Sequence, residues 1–165
     1  MAAPIPLALA EKIGRYTEFR SAHLLDWHPM QRQILIGTRF ADTTQVHQLK
    51  SPGGARTQLT FFADSVGGAA CPPDSADYFI FSKALGGNER FQLYRYDLAT
   101  GGAVLLTDGQ ARNSAGPFSH RGDKLAYTST RRNGTDGQHL VSSGRRRLVG
   151  GFREGAIEAA RLLHP

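Results

Sequence analysis

A single cysteine, Cys71, is all that this 165-residue chain contains. An internal disulfide is therefore excluded, and no Cys-x-x-Cys pair is present to hold a metal. Tryptophan also occurs once, at Trp27. No apolar run approaches the ~20 residues that a membrane-spanning helix needs. The apolar stretch from Ala2 to Ala10 is short, contains Pro4 and Pro6, and lacks a basic leading segment. It does not read as a signal peptide, and cytoplasmic residence is the default expectation. The common catalytic motifs are missing as well. No G-x-S-x-G elbow, no G-x-x-x-x-G-K-[ST] loop and no H-E-x-x-H pair occurs. The six histidines (His23, His28, His47, His120, His139, His164) show no paired-ligand spacing.

Acidic residues are in the minority, and the formal net charge is +6. Half of that excess falls in residues 142–165 and half in the much longer stretch before them. No basic stripe interleaved with aromatics appears, so the charge reads as a solvated surface plus a basic tail. Neither nucleic acid nor a membrane is expected as a partner.

Glycine, in contrast, is plentiful, with 19 residues, and much of it recurs in register. The stretch from Cys71 to Gly109 places an apolar strand (Tyr78–Phe81) before a Gly-rich loop (Gly86–Glu89). An alternating strand (Phe91–Asp97), an Ala-Thr-Gly-Gly turn and a third strand (Ala103–Leu106) follow. The same order precedes it, with Gln33–Thr38, Gln45–Leu49, the turn at Pro52-Gly53-Gly54, and Thr57–Thr60. It begins again with Lys124–Ser129 and Gln138–Val141. Trp27, Cys71 and Phe118 take the same slot, 44 and 47 residues apart. The pairs Gly53-Gly54 and Gly101-Gly102 lie 48 apart, and Leu59-Thr60 and Leu106-Thr107 lie 47 apart. Short strands recurring every ~40–50 residues describe a β-propeller blade. An ordinary β-sandwich would show strands and turns without register between copies.

The predicted fold is therefore all-β: a partial β-propeller of about three blades of antiparallel strands, with a short C-terminal helix. Residues 1–15 form an extension or short helix ending at Gly14, and Tyr16 to Leu25 reads as a strand. Residues 16–149 form the propeller, with blades near 24–60, 61–109 and 110–149. A further strand fits at Arg145–Val149. Residues 150–165 form a basic helical tail, in which Phe152, Ala156, Ala159 and Leu163 share a face. Propellers close with roughly four to eight blades, so three leave a blade face open. Trp27, Ile34, Ile36, Phe79, Phe81, Phe118, Leu125 and Tyr127 are predicted to be mostly buried.

The text Ser114-Ala115-Gly116-Pro117-Phe118-Ser119-His120-Arg121-Gly122-Asp123-Lys124-Leu125-Ala126-Tyr127-Thr128-Ser129 resembles the TolB-type propeller repeat. His120 and Arg121 replace its usual Pro-Asp. Gly87-Asn88-Glu89-Arg90-Phe91-Gln92-Leu93-Tyr94, continuing to Asp97-Leu98-Ala99-Thr100-Gly101, is similar to the propellers of prolyl-oligopeptidase-family serine peptidases. Ala84 stands where that pattern prefers Asp. The resemblance covers about residues 16–141. It implies a non-catalytic propeller portion that gates peptide access to a hydrolase domain absent from this chain. The alternative is a TolB-like protein-binding module without enzymatic activity. The implied partners are that α/β-hydrolase domain, or another protein covering the open blade face, with a peptide substrate in the parent enzyme.

The residues themselves point to no catalytic, cofactor-binding or metal-binding position, and no cofactor is expected. Cys71 reads as a small apolar residue rather than a nucleophile. Ser114 and Ser119 lack flanking glycines. His28 and His120 read as hydrogen-bonding turn residues rather than bases. Glu89 is expected to cap its strand or pair with Arg90 or Arg95. Asp97 is expected to accept a turn N–H. Arg121-Gly122-Asp123 spells a cell-adhesion tripeptide, but it falls on a tight turn between blade strands.

Overall fold

The computed structural model describes residues 6–17, 21–40 and 42–143. Among the described residues one helix, α1 (Leu7–Thr17), precedes eleven strands arranged in three antiparallel sheets. The first sheet contains β1 (Ala22–Trp27), β2 (Ile34–Arg39), β3 (Thr44–Leu49) and β4 (Arg56–Gln58). The second contains β5 (Val66–Ala70), β6 (Tyr78–Lys83), β7 (Gln92–Asp97) and β8 (Ala103–Leu105). The third contains β9 (Asn113–Phe118), β10 (Lys124–Ser129) and β11 (Gln138–Ser143). Each sheet is a meander whose strands pair in chain order. Three such sheets stacked face to face make a partial propeller.

Burial on both faces of the middle sheet joins the stack. Leu35 and Val46 of the first blade meet Phe79, Phe81 and Tyr96 of the second. On the opposite face Tyr78, Ile80 and Leu93 meet Leu125, Tyr127 and Leu140 of the third. This is why β6 reads as a continuous apolar run rather than an alternating one. Aromatic rings add directional packing, with Phe79 stacked on Tyr96 at 4.9 Å and Phe81 on Tyr94 at 5.3 Å. Lys83 extends over Phe62 and Tyr94 and pairs with Asp64 at 3.3 Å.

A buried glutamine fastens each crossing between blades. The Gln45 side chain accepts from Phe62 N–H at 3.1 Å and donates to the Phe62 and Asp64 carbonyls. Gln92 accepts from Gly109 N–H at 3.0 Å and donates to the Ala111 carbonyl at 2.6 Å. Every partner is displaced by the same 47 residues. Thr60 and Thr107 repeat the arrangement: their hydroxyls accept from Val46 N–H and Leu93 N–H. The Leu-Thr pairs seen in the sequence are thus half of this clamp. Gln138 holds the same register position on β11, opposite Ser129 as Gln92 is opposite Lys83.

Several expectations are corrected. The helix runs past Gly14 to Thr17, so Tyr16 belongs to it and the first strand begins at Ala22 rather than Tyr16. The Gly67-Gly68 handover is itself inside strand β5. Of the eight residues predicted to be mostly buried, Ile36, Phe79, Phe81, Leu125 and Tyr127 are buried, while Ile34 and Phe118 are half-buried. Trp27 is 64% exposed. Trp27 pairs with Ile34 as Phe118 pairs with Leu125, so the two share a slot. Phe118 packs toward the second blade, whereas no described blade precedes Trp27. The strand at Arg145–Val149 and the helical tail at 150–165 lie outside the described residues.

Truncating Gln92 to Ala would leave the Gly109 N–H and the Thr107 O–H, which donates to Gln92 at 2.6 Å, without this acceptor and would remove one of the two donors to the Ala111 carbonyl. The expected loss is about 2–4 kcal/mol, read as a lower urea midpoint. Gln110→Ala, at an exposed position, should change stability by less than ~0.5 kcal/mol. Equal midpoints for the two variants would remove the clamp from the account of the fold.

Candidate functional site

The first strand of each blade is a sheet edge, because β1, β5 and β9 each pair on one side only. All three slip register once, between Leu24 and Asp26 on β1, between Val66 and Ala69 on β5, and opposite the Leu125–Tyr127 step on β9. Such bulges bend a strand and blunt its edge against uncontrolled pairing. Small residues line two of these strands: Gly67, Gly68, Ala69 and Ala70 on β5, and Ser114, Ala115 and Gly116 on β9. Crowding requires it at Gly116, where a Cβ would come within 3.0 Å of the Ala126 carbonyl oxygen.

Between these two edges lies a groove of about 500 Å³. Its floor includes Ile80, Ser82 and Phe91, and Arg112 stands at one end. The Ser82 hydroxyl accepts from Gly68 N–H at 3.1 Å. Asn113 donates to the Phe91 and Ala111 carbonyls, which keeps the Arg112 end of β9 in place. The groove therefore offers edge backbone, apolar floor and one cationic end.

A second, polar groove of about 420 Å³ opens among the loops at 89–90, 108–112 and 130–134. Arg90, Arg112 and Arg131 share it with Glu89 and Asp108, so its charge is mixed. Asp108 is occupied in its own turn, accepting from Gln110 N–H and Ala111 N–H at 2.9 Å.

The residues singled out in the sequence do not converge. His28 is a turn residue whose Nδ1 accepts from Met30 N–H and Gln31 N–H. His120 is exposed on the β9–β10 turn. Ser119 donates to the Asp123 carboxylate at 2.7 Å and accepts from Lys124 N–H. That bond, first among its causes, holds the Asp123 carboxyl below the usual range. The Arg-Gly-Asp tripeptide is thereby tied into the turn. Gly122 has φ +64°, and a Cβ there would strike the Asp74 carboxylate. Asp97 accepts from Ala99 N–H and Thr100 N–H, and its carboxyl lies below the usual range chiefly through the Thr100 bond. Glu89 is exposed and lines the polar groove, while Arg95 lies 3.9 Å above the Tyr78 ring. Among the described residues no group of three or more His, Cys, Asp or Glu could hold a metal ion.

Sequence reasoning passed over His47, which sits 2% exposed on the outer face of the first blade. Its Nε2 is buried without a hydrogen-bond partner among the described residues. Burial, and then the Arg56 charge, hold its pKa below the ordinary value. A histidine between polar glutamines at Gln45 and Gln48 gives no periodic signal that would have marked it.

No protein-family model and no curated protein matches the chain. Solved structures do resemble it. A putative TolB from Agrobacterium tumefaciens aligns with TM-score 0.63 at 16% identity, over 81% of this chain and 48% of that one. TolB from Acinetobacter baumannii aligns with TM-score 0.55 at 22% identity, over 73% and 29%. An oligogalacturonate lyase in complex with manganese aligns with TM-score 0.58 at 17% identity, over 81% and 40%. The chain thus spans less than half the length of each. At these identities the likeness establishes a TolB-like propeller fold.

Cys71 provides a pH test of this geometry. Its N–H donates to the Asp26 carboxylate at 2.7 Å, and burial, then that charge, push its thiol up to about 12. At pH 8 its iodoacetamide reaction should run on the order of a thousandfold slower than that of a free thiol. The folded state keeps the thiol protonated, so this site's contribution to stability is present below the ordinary thiol pKa and declines as pH rises toward 12. Rapid alkylation of the native protein at pH 8 would contradict the buried placement.

Proposed function

We propose that the chain is a non-catalytic binding module that holds an extended polypeptide along the groove between β5 and β9. The observation that carries this reading is the pairing of two free strand edges, both lined with small residues, across a cleft of about 500 Å³. Edge strands bind extended peptides by main-chain hydrogen bonds, and the adjoining pockets select side chains. Absence of bulk on Gly68 and Ala115 leaves the backbone approachable. Arg112 at one end favours an acidic side chain or a terminal carboxylate. The TolB-like fold is compatible with a protein-binding role but does not by itself assign one.

A finer reading makes these blades part of a prolyl-oligopeptidase-like peptidase, gating a hydrolase domain. It rests on the resemblance of residues 87–101, which here form part of the β6–β7 loop, β7 and the turn capped by Asp97. Those roles are structural, and the general binding reading is preferred. Ser119 is hydrogen-bonded to a carboxylate rather than to a base.

Binding is testable with short, fluorescently labelled acidic peptides of extended conformation, followed by anisotropy. Saturable binding is expected, weakened about tenfold by Arg112→Ala, the loss of one charge-assisted contact. Gly68→Leu should weaken it at least as much. Gly68 has open space, with only the Ser82 hydroxyl at 4.0 Å from an added Cβ, so the variant should keep its circular dichroism. Absence of saturable binding by the native chain would sink the proposal. Separately, stoichiometric labelling of one serine by a phosphonate probe would overturn the non-catalytic assignment.

A further inference from the structure

The two grooves beside β9 are parts of one track. Arg112 borders both, and its surroundings divide between them: Phe91 and Asn113 line the first groove, Arg90 and Ala111 the second. A chain that lies along the β5–β9 groove and leaves it at the Arg112 end therefore enters the polar groove. An extended chain advances about 3.3 Å per residue and alternates its side chains, so its next residues carry a side chain into that space.

The polar groove is assembled from three loops, and each contributes one arginine: Arg90 ahead of β7, Arg112 ahead of β9 and Arg131 after β10. The backbone of each is held in place. Arg90 N–H donates to the Asn88 side-chain carbonyl at 3.0 Å, and Arg131 N–H to the Ser129 hydroxyl at 3.3 Å. Arg112 N–H donates to the Thr130 hydroxyl at 3.1 Å, while its carbonyl accepts from Thr130 N–H at 3.0 Å. Asn113 N–H donates to the Phe91 carbonyl at 3.0 Å, which ties the Arg90 and Arg112 segments together. Among the described residues neither Arg90 nor Arg112 is in an ion pair, although Glu89 and Asp108 border the same space. One oxygen of Asp108 is taken by its own turn. Two arginines thus stand on an ordered frame with their guanidinium donors unused, and order set in advance lowers the cost of binding.

We infer that the polar groove receives a phosphoryl group, carried as a phosphorylated side chain by the polypeptide in the β5–β9 groove; the inference rests on that binding reading. The directions from which donors come decide between anions. A carboxylate presents two oxygens in one plane and is satisfied by a single guanidinium fork. A phosphoryl group carries three strong acceptor oxygens and a charge of about −1.5 to −2 at neutral pH, which suits donors arriving from three separate loops. The lining sets three arginines against two carboxylates, an excess of one positive charge. That excess is too small to gather polyanions from a distance. Recognition depends instead on direct contact with the arginines and on the neighbouring groove, which holds the chain.

The test uses labelled extended peptides that differ only in carrying Ser, Asp or phosphoserine near one end, with each end tried in turn. The phosphoserine form is expected to bind the full chain about tenfold tighter than the Asp form, roughly the contribution of one added hydrogen bond to a charged group. Arg90→Ala and Arg131→Ala should each weaken the phosphoserine form about tenfold more than the Ser form. Both residues are exposed, so the variants should keep their circular dichroism. Arg121→Ala, at an exposed position on the β9–β10 turn outside both grooves, should change none of the affinities. Equal affinities of the Asp and phosphoserine forms would overturn the inference and leave peptide binding standing. A phosphoserine advantage that survives both arginine substitutions would overturn it as well, since the phosphoryl group would then lie elsewhere. If no form binds saturably, the β5–β9 reading falls and the inference falls with it.

Discussion

Every blade of this protein is a thin sheet that must be covered on two faces at once. A meander of three or four strands has no interior of its own, and the apolar side chains of β6 point alternately toward the first and the third blade. Stability therefore resides between sheets rather than within them. The glutamine clamps serve this constraint. By tying the chain after β4 and after β8 back to β3 and β7, they fix where the next sheet begins and thus which face it presents. The small residues of β5 and β9 border the groove that separates these two first strands.

Much of this was legible in the sequence, and the physical reasons are particular. Strand β6 announces itself because burial on both faces removes the polar positions that otherwise break an apolar run. The turn at 97–102 was readable because Asp and Thr side chains cap such turns locally. The repeat emerged from Leu-Thr pairs, whose threonines turn out to bind the backbone of the neighbouring strand. What escaped notice was set by tertiary context. Strand β5 is Val-Gly-Gly-Ala-Ala, a composition that reads as a turn and becomes a strand by pairing with β6, with the Ser82 hydroxyl crowding a side chain at Gly67 but not at Gly68. Trp27 was read as core because its slot is core wherever a blade precedes it. Its exposure depends on position in the array, which no local pattern records.

Of the candidate site, the sequence conveyed little. The groove is assembled from strands about 47 residues apart, and its lining is backbone and small side chains, which leave no motif. The histidines and serines that attract attention in the sequence are consumed by turns: His28 by two backbone donors, Ser119 by Asp123. A fold of this kind uses its polar residues largely to shape loops, and leaves recognition to the places where edges and loops from different blades come together.

The clamp also acts as a length gauge. From Gln45 to its partners is 17 and 19 residues, and from Gln92 to its partners it is again 17 and 19. The third hairpin of a blade is thus held at constant size. The loop between β2 and β3 lies outside the gauged interval and is free of it: four residues separate those strands in the first blade, and eight separate both β6 from β7 and β10 from β11. Insertions can accumulate in these loops without disturbing the stack, whereas one added residue between β3 and the next blade would misalign everything after it. Arg90 and Arg131 lie on or beside the elastic loops. Changes of length or sequence at the end of the molecule that carries them can therefore leave the blades themselves the same.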